Sequence, residues 1–510
     1  MLNVAEALEN QSLQDPNRIA IGMGDDALTF GEMDRQVNRA ASLLLQMGIR
    51  AGDRVAALLL NGFPIVDLMF ATARIGATLV PLNVRLTPEE VARQIAHSRS
   101  RIVIVQPELL PLLGAVSGTG ASIQVLVAAG DGDRFPAYER ERDRQPATPV
   151  RIDVPDTGTG LLVYTSGTTG RPKGVLRSYR SNMMVGLLTA AQISLTHEDV
   201  GLAILPMFHV NSFWFVTLSI AVGAACRIYP HRQFHPVRLA EELTQRRITL
   251  SIFVPTMLQY LTEVVASGGP GCADLRLILT SSAPLPPSLR DRLLDLFPKA
   301  ELYDIYGATE LGSVTIAKHG RGGVAGSIGY PMLGQRIRLL GEEGQDVAPG
   351  GVGELFVSGP TNMDGYDGEP EATAAAVRGD YVSVGDLARV DDSGRIFLVD
   401  RKADMIITSA ENVYPSEVEN VLLQFPGVRF AAVVGLPDAR RGEQLAAAVV
   451  PQENVDLRVG DLATHCRSRL PDYKCPRLWR IVPELPLGPT GKVVRRIVRQ
   501  QWPENGALRA

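Results

Sequence analysis

The sequence of 510 residues contains only four cysteines, and their spacing fits neither a metal site nor a set of disulfides. We therefore expect Cys226, Cys272, Cys466 and Cys475 to be reduced thiols, which predicts a cytoplasmic location. The formal net charge is −4 and there is no basic tract, so the sequence gives no sign of a nucleic-acid partner.

Long hydrophobic runs are also missing. The most apolar long stretch, residues 213–226, is shorter than the roughly 20 residues that a membrane span needs, and we predict a buried helix there instead. The first residues have no basic start and no long apolar segment, which predicts that they are not a signal peptide. A composition of 45% hydrophobic and 21% charged residues indicates a globular protein, and its length predicts two or more domains.

Helical and strand-like patterns alternate along most of the chain. Thr29 and Glu32 are predicted to form a capping box at the start of a helix that ends near Gly48. Apolar runs typical of buried parallel strands occur at residues 55–60, 78–81, 250–254 and 275–280. The alternation predicts an α/β fold with a parallel sheet.

The composition changes along the chain. Residues 113–122 and 130–150 are rich in glycine, proline and charge and are predicted to be surface connections. Frequent glycines and short strands between residues 322 and 400 predict a small, mostly β subdomain. The predicted domains are an N-terminal domain of α/β layers plus this subdomain at residues 1–399, a charged hinge at 400–404 and a small α+β C-terminal domain at 405–510.

One loop is unusually rich in small and hydroxylated residues. The segment Tyr164-Thr-Ser-Gly-Thr-Thr-Gly-Arg-Pro-Lys-Gly-Val175 follows a short apolar run, and its glycines allow the backbone to approach a ligand closely. Hydroxyl and backbone N–H groups in such a loop can converge on phosphate oxygens. It lacks the P-loop pattern, so we predict a polyphosphate site of another kind. The predicted phosphate-binding residues are Thr165, Ser166, Gly167, Thr168, Thr169, Gly170 and Lys173.

This segment resembles the phosphate loop of the adenylate-forming enzymes, which include acyl-CoA synthetases, peptide-synthetase adenylation domains and luciferases. Further matches follow in the expected order over nearly the whole chain, and acyl-CoA synthetases look most similar. The resemblance implies an active site between the N-terminal domain and a mobile C-terminal domain. It also implies the use of ATP, Mg²⁺ and coenzyme A.

The segment Tyr303-Asp-Ile-Tyr-Gly-Ala-Thr-Glu310 is the second strong match. Tyr306 offers a flat face for adenine, and the Glu310 carboxylate suits Mg²⁺ bound to phosphate oxygens. By resemblance, the other nucleotide-binding residues of these central segments are Asp304, Gly307, Thr309 and the adenine-pocket residues Ser282, Ala283 and Pro284. The resemblance also places the ribose on Asp386 and Arg401.

The resemblance assigns catalytic roles to Lys492, His209 and Thr165. Lys492, in Pro489-Thr-Gly-Lys492, matches the lysine that stabilises charge during adenylation. The predicted acyl pocket comprises Phe208, His209, Val210, Trp214 and Gly307, and the predicted CoA channel comprises Ser409, Ala410 and Glu411.

Two features depart from the family pattern. Relatives usually have two glycines where this chain has Ser409 and Ala410, and they often have Asp or Lys where it has Ala403. We expect the first change to narrow the channel for the pantetheine arm, and the second to alter the balance between the two domain orientations. The retention of both half-reactions is therefore an open question.

We predict an acid–thiol ligase that forms an acyl-CoA from a fatty or aryl acid. A stand-alone enzyme that loads a carrier protein, a half-enzyme that uses an acyl-adenylate made elsewhere and a luciferase-type oxygenase are the alternatives. No basic residue lies beside His209 in sequence, which argues against a dicarboxylic substrate. The expected partners are the acid and CoA, with a carrier protein and a homodimer left open.

Overall fold

The computed structural model describes residues 2–120, 122–130, 134–165, 172–320, 323–324, 326–402, 404–408, 411–438, 440–452, 454–487, 493–502 and 508–509. The chain forms two compact units. The first contains Met1–Ile337 and Val357–Val382, and the second contains Arg338–Phe356 and Ser383–Ala510. The predicted fold class, a large α/β N-terminal part and a small α+β C-terminal part, is confirmed.

The described residues form α-helices in both units. The α-helices are α1 Val4–Gln14, α2 Phe30–Gln46, α3 Phe63–Ile75, α4 Pro88–Ser98, α5 Tyr138–Asp143, α6 Tyr179–Gln192, α7 Val210–Ala221, α8 Pro236–Gln245, α9 Pro255–Ala266, α10 Pro287–Leu296, α11 Pro370–Ala376, α12 Pro415–Leu423, α13 Val459–Arg467 and α14 Arg495–Gln500. Short 3₁₀ helices lie at Pro107–Leu113, Val116–Thr119 and Asp472–Lys474.

Most strands are short, and many are buried on both faces. The strands of the first 337 residues are β1 Ile19–Met23, β2 Asp26–Thr29, β3 Arg54–Leu58, β4 Thr78–Pro81, β5 Ile102–Val105, β6 Gln124–Val127, β7 Thr159–Thr165, β8 Lys173–Ser178, β9 Val200–Ala203, β10 Ala225–Ile228, β11 Leu250–Phe253, β12 Leu277–Ser281, β13 Glu301–Ala308, β14 Gly312–His319 and β15 Ser327–Pro331. The later strands are β16 Arg336–Leu340, β17 Val352–Ser358, β18 Gly365–Tyr366, β19 Val377–Arg378, β20 Tyr381–Val390, β21 Ile396–Arg401, β22 Ile406–Thr408, β23 Glu411–Val413, β24 Val428–Asp438, β25 Gly442–Pro451, β26 Leu478–Ile481 and β27 Leu508–Arg509.

The first unit is built on two sheets. One has the strand order β18-β8-β7-β4-β3-β5-β6, and the other contains the run β15-β14-β13-β12-β11-β9-β10-β1-β2. The central strands of both are parallel, whereas β8, β14 and β2 run antiparallel to β7, β13 and β1. Parallel strands need helical crossovers that cover both faces, which explains their continuous apolar sequences.

Several predicted elements appear with nearly their expected bounds. The capping box of α2 is present, since Thr29 Oγ1 accepts from the backbone N–H of Glu32 and the Glu32 carboxylate accepts from that of Thr29. The predicted strand at residues 78–81 coincides with β4. Gly48, with φ of 87°, follows the helix where a left-handed residue is required.

Two predictions about local structure were wrong in part. The apolar stretch 213–226 forms the predicted buried helix only as far as Ala221, because α7 ends before Gly223, with φ of 76°, and β10 begins at Ala225. Residues 130–150 are not only a surface connection, because α5 lies within them and its Tyr138 is fully buried. The helix is held inside because Arg142 Nη1 lies 2.7 Å from the buried carboxylate of Asp67.

The second unit contains a sheet with the order β23-β22-β25-β26-β27, and β24 pairs with β25. The strands β16, β17, β20 and β21 are also neighbours in that order. The predicted hinge lies inside this unit: the Asp400 carboxylate accepts from the backbone N–H of Ser416 at 2.9 Å, and Asp404 lies 3.4 Å from Arg495. The domain limits at residues 399 and 405 stay a prediction.

Among the residues that the structure describes, no helix has both the length and the apolar character needed to cross a membrane.

Candidate active site

The predicted phosphate loop begins and ends on two paired strands. Thr165 is the last residue of β7 and Lys173 is the first residue of β8, and the antiparallel register places them opposite each other. Ser166, Gly167, Thr168, Thr169 and Gly170 lie outside the described residues. The hairpin therefore fixes where the loop leaves and re-enters the sheet.

Glu310 is close to this hairpin although it is far away in sequence. Its side chain is buried, and its Oε1 accepts a hydrogen bond of 3.1 Å from the hydroxyl of Tyr366. The ammonium of Lys173 lies 4.7 Å from the centre of the Tyr366 ring. A single tyrosine thus contacts both the lysine at the end of the loop and the glutamate predicted to bind metal.

The strand β13 carries most of the second motif. Gly307 lies at a bulge between β13 and β14, and a Cβ atom there would come within 2.2 Å of the carbonyl oxygen of Gly312. Only glycine fits this approach of two backbones. The bulge changes the course of the strand just before Thr309 and Glu310, which are both buried.

Asp304, on the same strand, is a buried carboxyl group. Burial raises its pKa from the ordinary value of 3.8 to about 7. Tyr306, two residues further along β13, is partly exposed. A carboxyl with this pKa can accept a hydrogen bond from an amino group when it is ionised, which suits the predicted contact with adenine.

The predicted adenine pocket meets the segment around His209. The side-chain amide of Asn211 donates to the hydroxyl oxygens of Ser281 and Ser282, at 3.3 and 3.2 Å. Ser281 ends β12 next to Ile305 of β13, and Ser282 has φ of 74°. Ala283 and Pro284 continue the loop that follows. Segments that are far apart in sequence are thus adjacent at the ends of parallel strands, where open α/β sheets bind ligands.

The predicted acyl-pocket residues cluster at the start of α7. His209 is the N-cap residue of this helix, and its backbone N–H donates to the carbonyl oxygen of Pro206 at 3.1 Å. Phe208, Val210 and Trp214 are buried. Most residues of the helix are apolar, so it provides a hydrophobic wall.

Sequence reasoning missed Arg177, which is fully buried. Its guanidinium donates to the carbonyl oxygens of Thr309 and Thr361, both at 2.6 Å. It also donates to Oδ1 of Asn182 at 3.0 Å and lies 4.9 Å from the centre of the Trp214 ring. Burial lowers its pKa to about 10, so it stays charged at neutral pH. In sequence, Arg177 is simply the residue before Ser178, near the end of β8. Nothing in that position predicts its contact with Thr309, the neighbour of Glu310.

The predicted ribose-binding pair lies in the second unit. Asp386 of β20 and Arg401 of β21 are opposite each other in register, and Arg401 Nε lies 3.1 Å from the Asp386 carboxylate. Arg401 is about half exposed, so it retains a surface for a ligand. The structure therefore brings together the two residues that the resemblance pairs.

Of the remaining predicted site residues, the structure describes Glu411 alone. Glu411, predicted to line the CoA channel, begins β23 and is exposed. Lys492, Ser409, Ala410 and Ala403 lie outside the described residues.

Glu310 fits the role of a magnesium ligand. Within the described residues, no group of three or more His, Cys, Asp or Glu side chains is arranged to hold a metal ion by itself. Mg²⁺ is usually bound by one or two carboxylates together with substrate phosphates and water, so a single buried glutamate beside a phosphate loop is sufficient.

Comparison with known proteins identifies the family. Residues 8–367 match the family described as AMP-binding enzyme, and residues 417–492 match its C-terminal domain. The chain belongs to this family. The predicted resemblance to the adenylate-forming enzymes is thereby confirmed.

The relatives include CoA ligases and a carrier-protein ligase. A feruloyl-CoA synthase of Amycolatopsis sp. is 35% identical over 96% of both chains. A fatty acid–acyl-carrier-protein ligase of Streptomyces coeruleorubidus is 32% identical over 96% of this chain and 94% of its own. The o-succinylbenzoate CoA synthetase of Bacillus subtilis, solved with its acyl-adenylate intermediate, superposes with a TM-score of 0.85 at 26% identity and covers 99% of this chain and 98% of its own.

Replacement of Arg177 should destabilise the first unit. In Arg177→Leu the carbonyl oxygens of Thr309 and Thr361 lose a buried donor, so we expect a loss of about 3 kcal/mol in the free energy of unfolding. Chemical denaturation followed by tryptophan fluorescence measures it. Arg180→Leu is the matched control, since its side chain is about half exposed and its guanidinium pairs with Asp156 at 2.7 Å. An equal loss in both variants would contradict the assigned role.

The raised pKa of Asp304 should make stability depend on pH. In the folded state the carboxyl stays protonated up to about pH 7, whereas its ordinary pKa is 3.8, so the unfolded chain releases this proton first. Its contribution to stability is therefore complete below pH 3.8 and is lost as the pH rises through 7. Between pH 5 and 8, Asp304→Asn should reduce the fall in unfolding free energy by on the order of 2 kcal/mol.

Denaturation midpoints at pH 5 and pH 8 measure this difference. Burial also raises the pKa of Asp67 to about 6, so a smaller fall in unfolding free energy should remain in both the wild type and Asp304→Asn. Asp346→Asn is the control, because the exposed Asp346 has a lowered pKa beside Arg338 and does not titrate in this range. An unchanged pH dependence in Asp304→Asn would show that Asp304 is ionised throughout.

Proposed function

We propose that the protein is an ATP-dependent carboxylic acid–CoA ligase that makes an acyl-adenylate and then an acyl-CoA thioester. The contact of Tyr366 with both Lys173 and Glu310 carries this proposal. It joins the end of the phosphate loop to a buried carboxylate suited to magnesium. The membership of the AMP-binding enzyme family and the activities in the names of its relatives support the same chemistry.

In the first half-reaction, an oxygen of the substrate carboxylate attacks the α-phosphorus of ATP, and pyrophosphate leaves. The loop between Thr165 and Lys173 holds phosphate oxygens through hydroxyl, N–H and ammonium donors. Glu310 would hold Mg²⁺, which neutralises charge on the phosphate oxygens. Lys492 stabilises the charge that develops at the α-phosphate.

In the second half-reaction, the thiol sulfur attacks the carbonyl carbon of the adenylate, and AMP leaves. Movement of the C-terminal domain about residues 400–404 withdraws Lys492 and brings the segment of Ser409, Ala410 and Glu411 to the pantetheine arm. Asp386 and Arg401 hold the ribose of the nucleotide in this scheme. Their ion pair supports it, because the aspartate is already oriented by its partner.

The substrate is an apolar acid, either aryl or fatty. Three buried side chains at the start of α7, those of Phe208, Val210 and Trp214, support this choice. Arg177 is a cation next to this wall, and its guanidinium already donates to Asn182 and to two carbonyl oxygens. A second substrate carboxylate would compete with these bonds. The relatives named for ferulate and fatty acids support the same class.

A carrier-protein thiol is the second candidate acceptor. The relative from Streptomyces coeruleorubidus is named as an acyl-carrier-protein ligase, and Ser409 and Ala410 replace the usual glycines of the channel. Thioester formation on free CoA, compared with that on a phosphopantetheinylated carrier protein, separates the two.

The four cysteines, which are free and buried, support a cytoplasmic location.

Lys492 should serve only the first half-reaction. Lys492→Ala should lower the rate of acyl-adenylate formation at least a hundredfold, yet it should change thioester formation from a supplied acyl-adenylate less than threefold. Single-turnover assays of each half measure this. Arg496→Ala is the control, since Arg496 is an exposed cation four residues away. Equal loss of both halves in Lys492→Ala would contradict the assignment.

A further inference from the structure

Among the described residues, Tyr366 donates a hydrogen bond from its hydroxyl to the carboxylate of Glu310. The bond is 3.1 Å long and both side chains are more than nine-tenths buried. The backbone of the glutamate is also fixed, because its carbonyl oxygen accepts from the N–H of Met363 at 2.7 Å. A hydrogen bond to one carboxylate oxygen, together with a fixed backbone, restricts rotation of the carboxylate.

Tyr366 is itself held by the strand that ends the phosphate loop. It forms β18 with Gly365 and pairs with Val175 of β8, two residues after Lys173. Its backbone N–H donates to the hydroxyl oxygen of Thr373 at 2.9 Å. The tyrosine thus moves with the hairpin that carries the loop, while its hydroxyl reaches the turn after β13.

The ring of Tyr366 faces the ammonium of Lys173 at 4.7 Å, within the range of a cation–π contact. The side chain of Tyr366 therefore contacts a positive group at the face of its ring and a negative group at its hydroxyl. A tyrosine hydroxyl, with an ordinary pKa of about 10, keeps its proton at neutral pH and remains a donor.

We propose that Tyr366 is a positioning residue that holds the Glu310 carboxylate in the orientation needed for phosphate-bound Mg²⁺, and that it links this carboxylate to the phosphate loop. The inference rests on the proposed function, because it needs ATP and a divalent cation at this site. Partners that orient a metal ligand by hydrogen bonding change metal affinity when they are removed, typically by tenfold or more.

The test compares ATP binding with and without the metal. Calorimetric titration of ATP into the full-length protein is carried out in excess Mg²⁺ and again in EDTA. Tyr366→Phe removes the hydroxyl but keeps the ring beneath Lys173. We expect its Kd for ATP to rise about tenfold in Mg²⁺ and to change less than twofold in EDTA.

Tyr179→Phe is the matched control. Tyr179 is a buried tyrosine whose hydroxyl donates to the carbonyl oxygen of Ala77 at 2.8 Å. Its loss should lower the melting temperature as a buried hydrogen bond does, but leave both Kd values within twofold of the wild type. The control separates a general loss of stability from a loss of metal-dependent binding.

A double-mutant cycle with Glu310→Gln tests whether Tyr366 acts through the glutamate. If it does, adding Tyr366→Phe to Glu310→Gln should produce less than a twofold further change in the Mg²⁺-dependent Kd. If the two substitutions instead raise the Kd independently, so that their effects multiply in the double variant, the proposal is overturned. Equal weakening by Tyr366→Phe in Mg²⁺ and in EDTA would overturn it as well, since it would show a structural role only.

The same titrations separate failure of this inference from failure of the proposed function. Wild-type protein that binds no ATP in Mg²⁺ would contradict both. Wild-type protein that binds ATP more tightly in Mg²⁺ than in EDTA, with a Tyr366→Phe variant that is identical to it, would contradict the inference alone.

Discussion

A buried positive charge joins the segments on which the site depends. The guanidinium of Arg177 donates to the carbonyl oxygens of Thr309 and Thr361 and to Asn182, so that β8, the turn after β13, the segment before β18 and helix α6 share one network. Burial of a charge is costly unless hydrogen bonds compensate it, and here the compensation comes mainly from backbone oxygens. Because one of these oxygens, that of Thr309, belongs to the turn of Glu310, the stability of the core and the position of the predicted metal ligand depend on the same contacts.

The motifs of the proposed site are visible in the sequence. Glycine and hydroxyl residues between Thr165 and Lys173 predict a phosphate loop, and the strands on either side of it pair with each other. The family resemblance alone predicts that Asp386 and Arg401 bind one ribose, since a Gly-Asp pair by itself usually indicates a turn; the structure pairs their side chains. The α/β class could be predicted because helical and strand-like apolar patterns alternate along the chain. Parallel strands need a long crossover between them, usually a helix, and this produces the alternation.

The rest depended on tertiary contacts that no local pattern encodes. Arg177 and Tyr366 look ordinary in sequence, and only the pairing of β18 with β8 and the approach of the Thr309 turn bring them to Glu310. The charged segment of α5 looked solvent-exposed because Asp67, its buried partner, lies far away in the chain. A single glycine, Gly223, separates α7 from β10 within a continuous apolar stretch, and a count of hydrophobic residues does not detect it.

The central claim is that the protein activates a carboxylic acid with ATP. Isotope exchange between pyrophosphate and ATP, measured with Mg²⁺ across a panel of fatty, aryl and polycyclic acids, tests it most directly, because exchange requires reversible formation of the acyl-adenylate. The account predicts exchange that depends on the added acid and is fastest with one apolar class. Absence of exchange with every acid, although supplied acyl-adenylates of the same acids form thioesters with CoA, would contradict it.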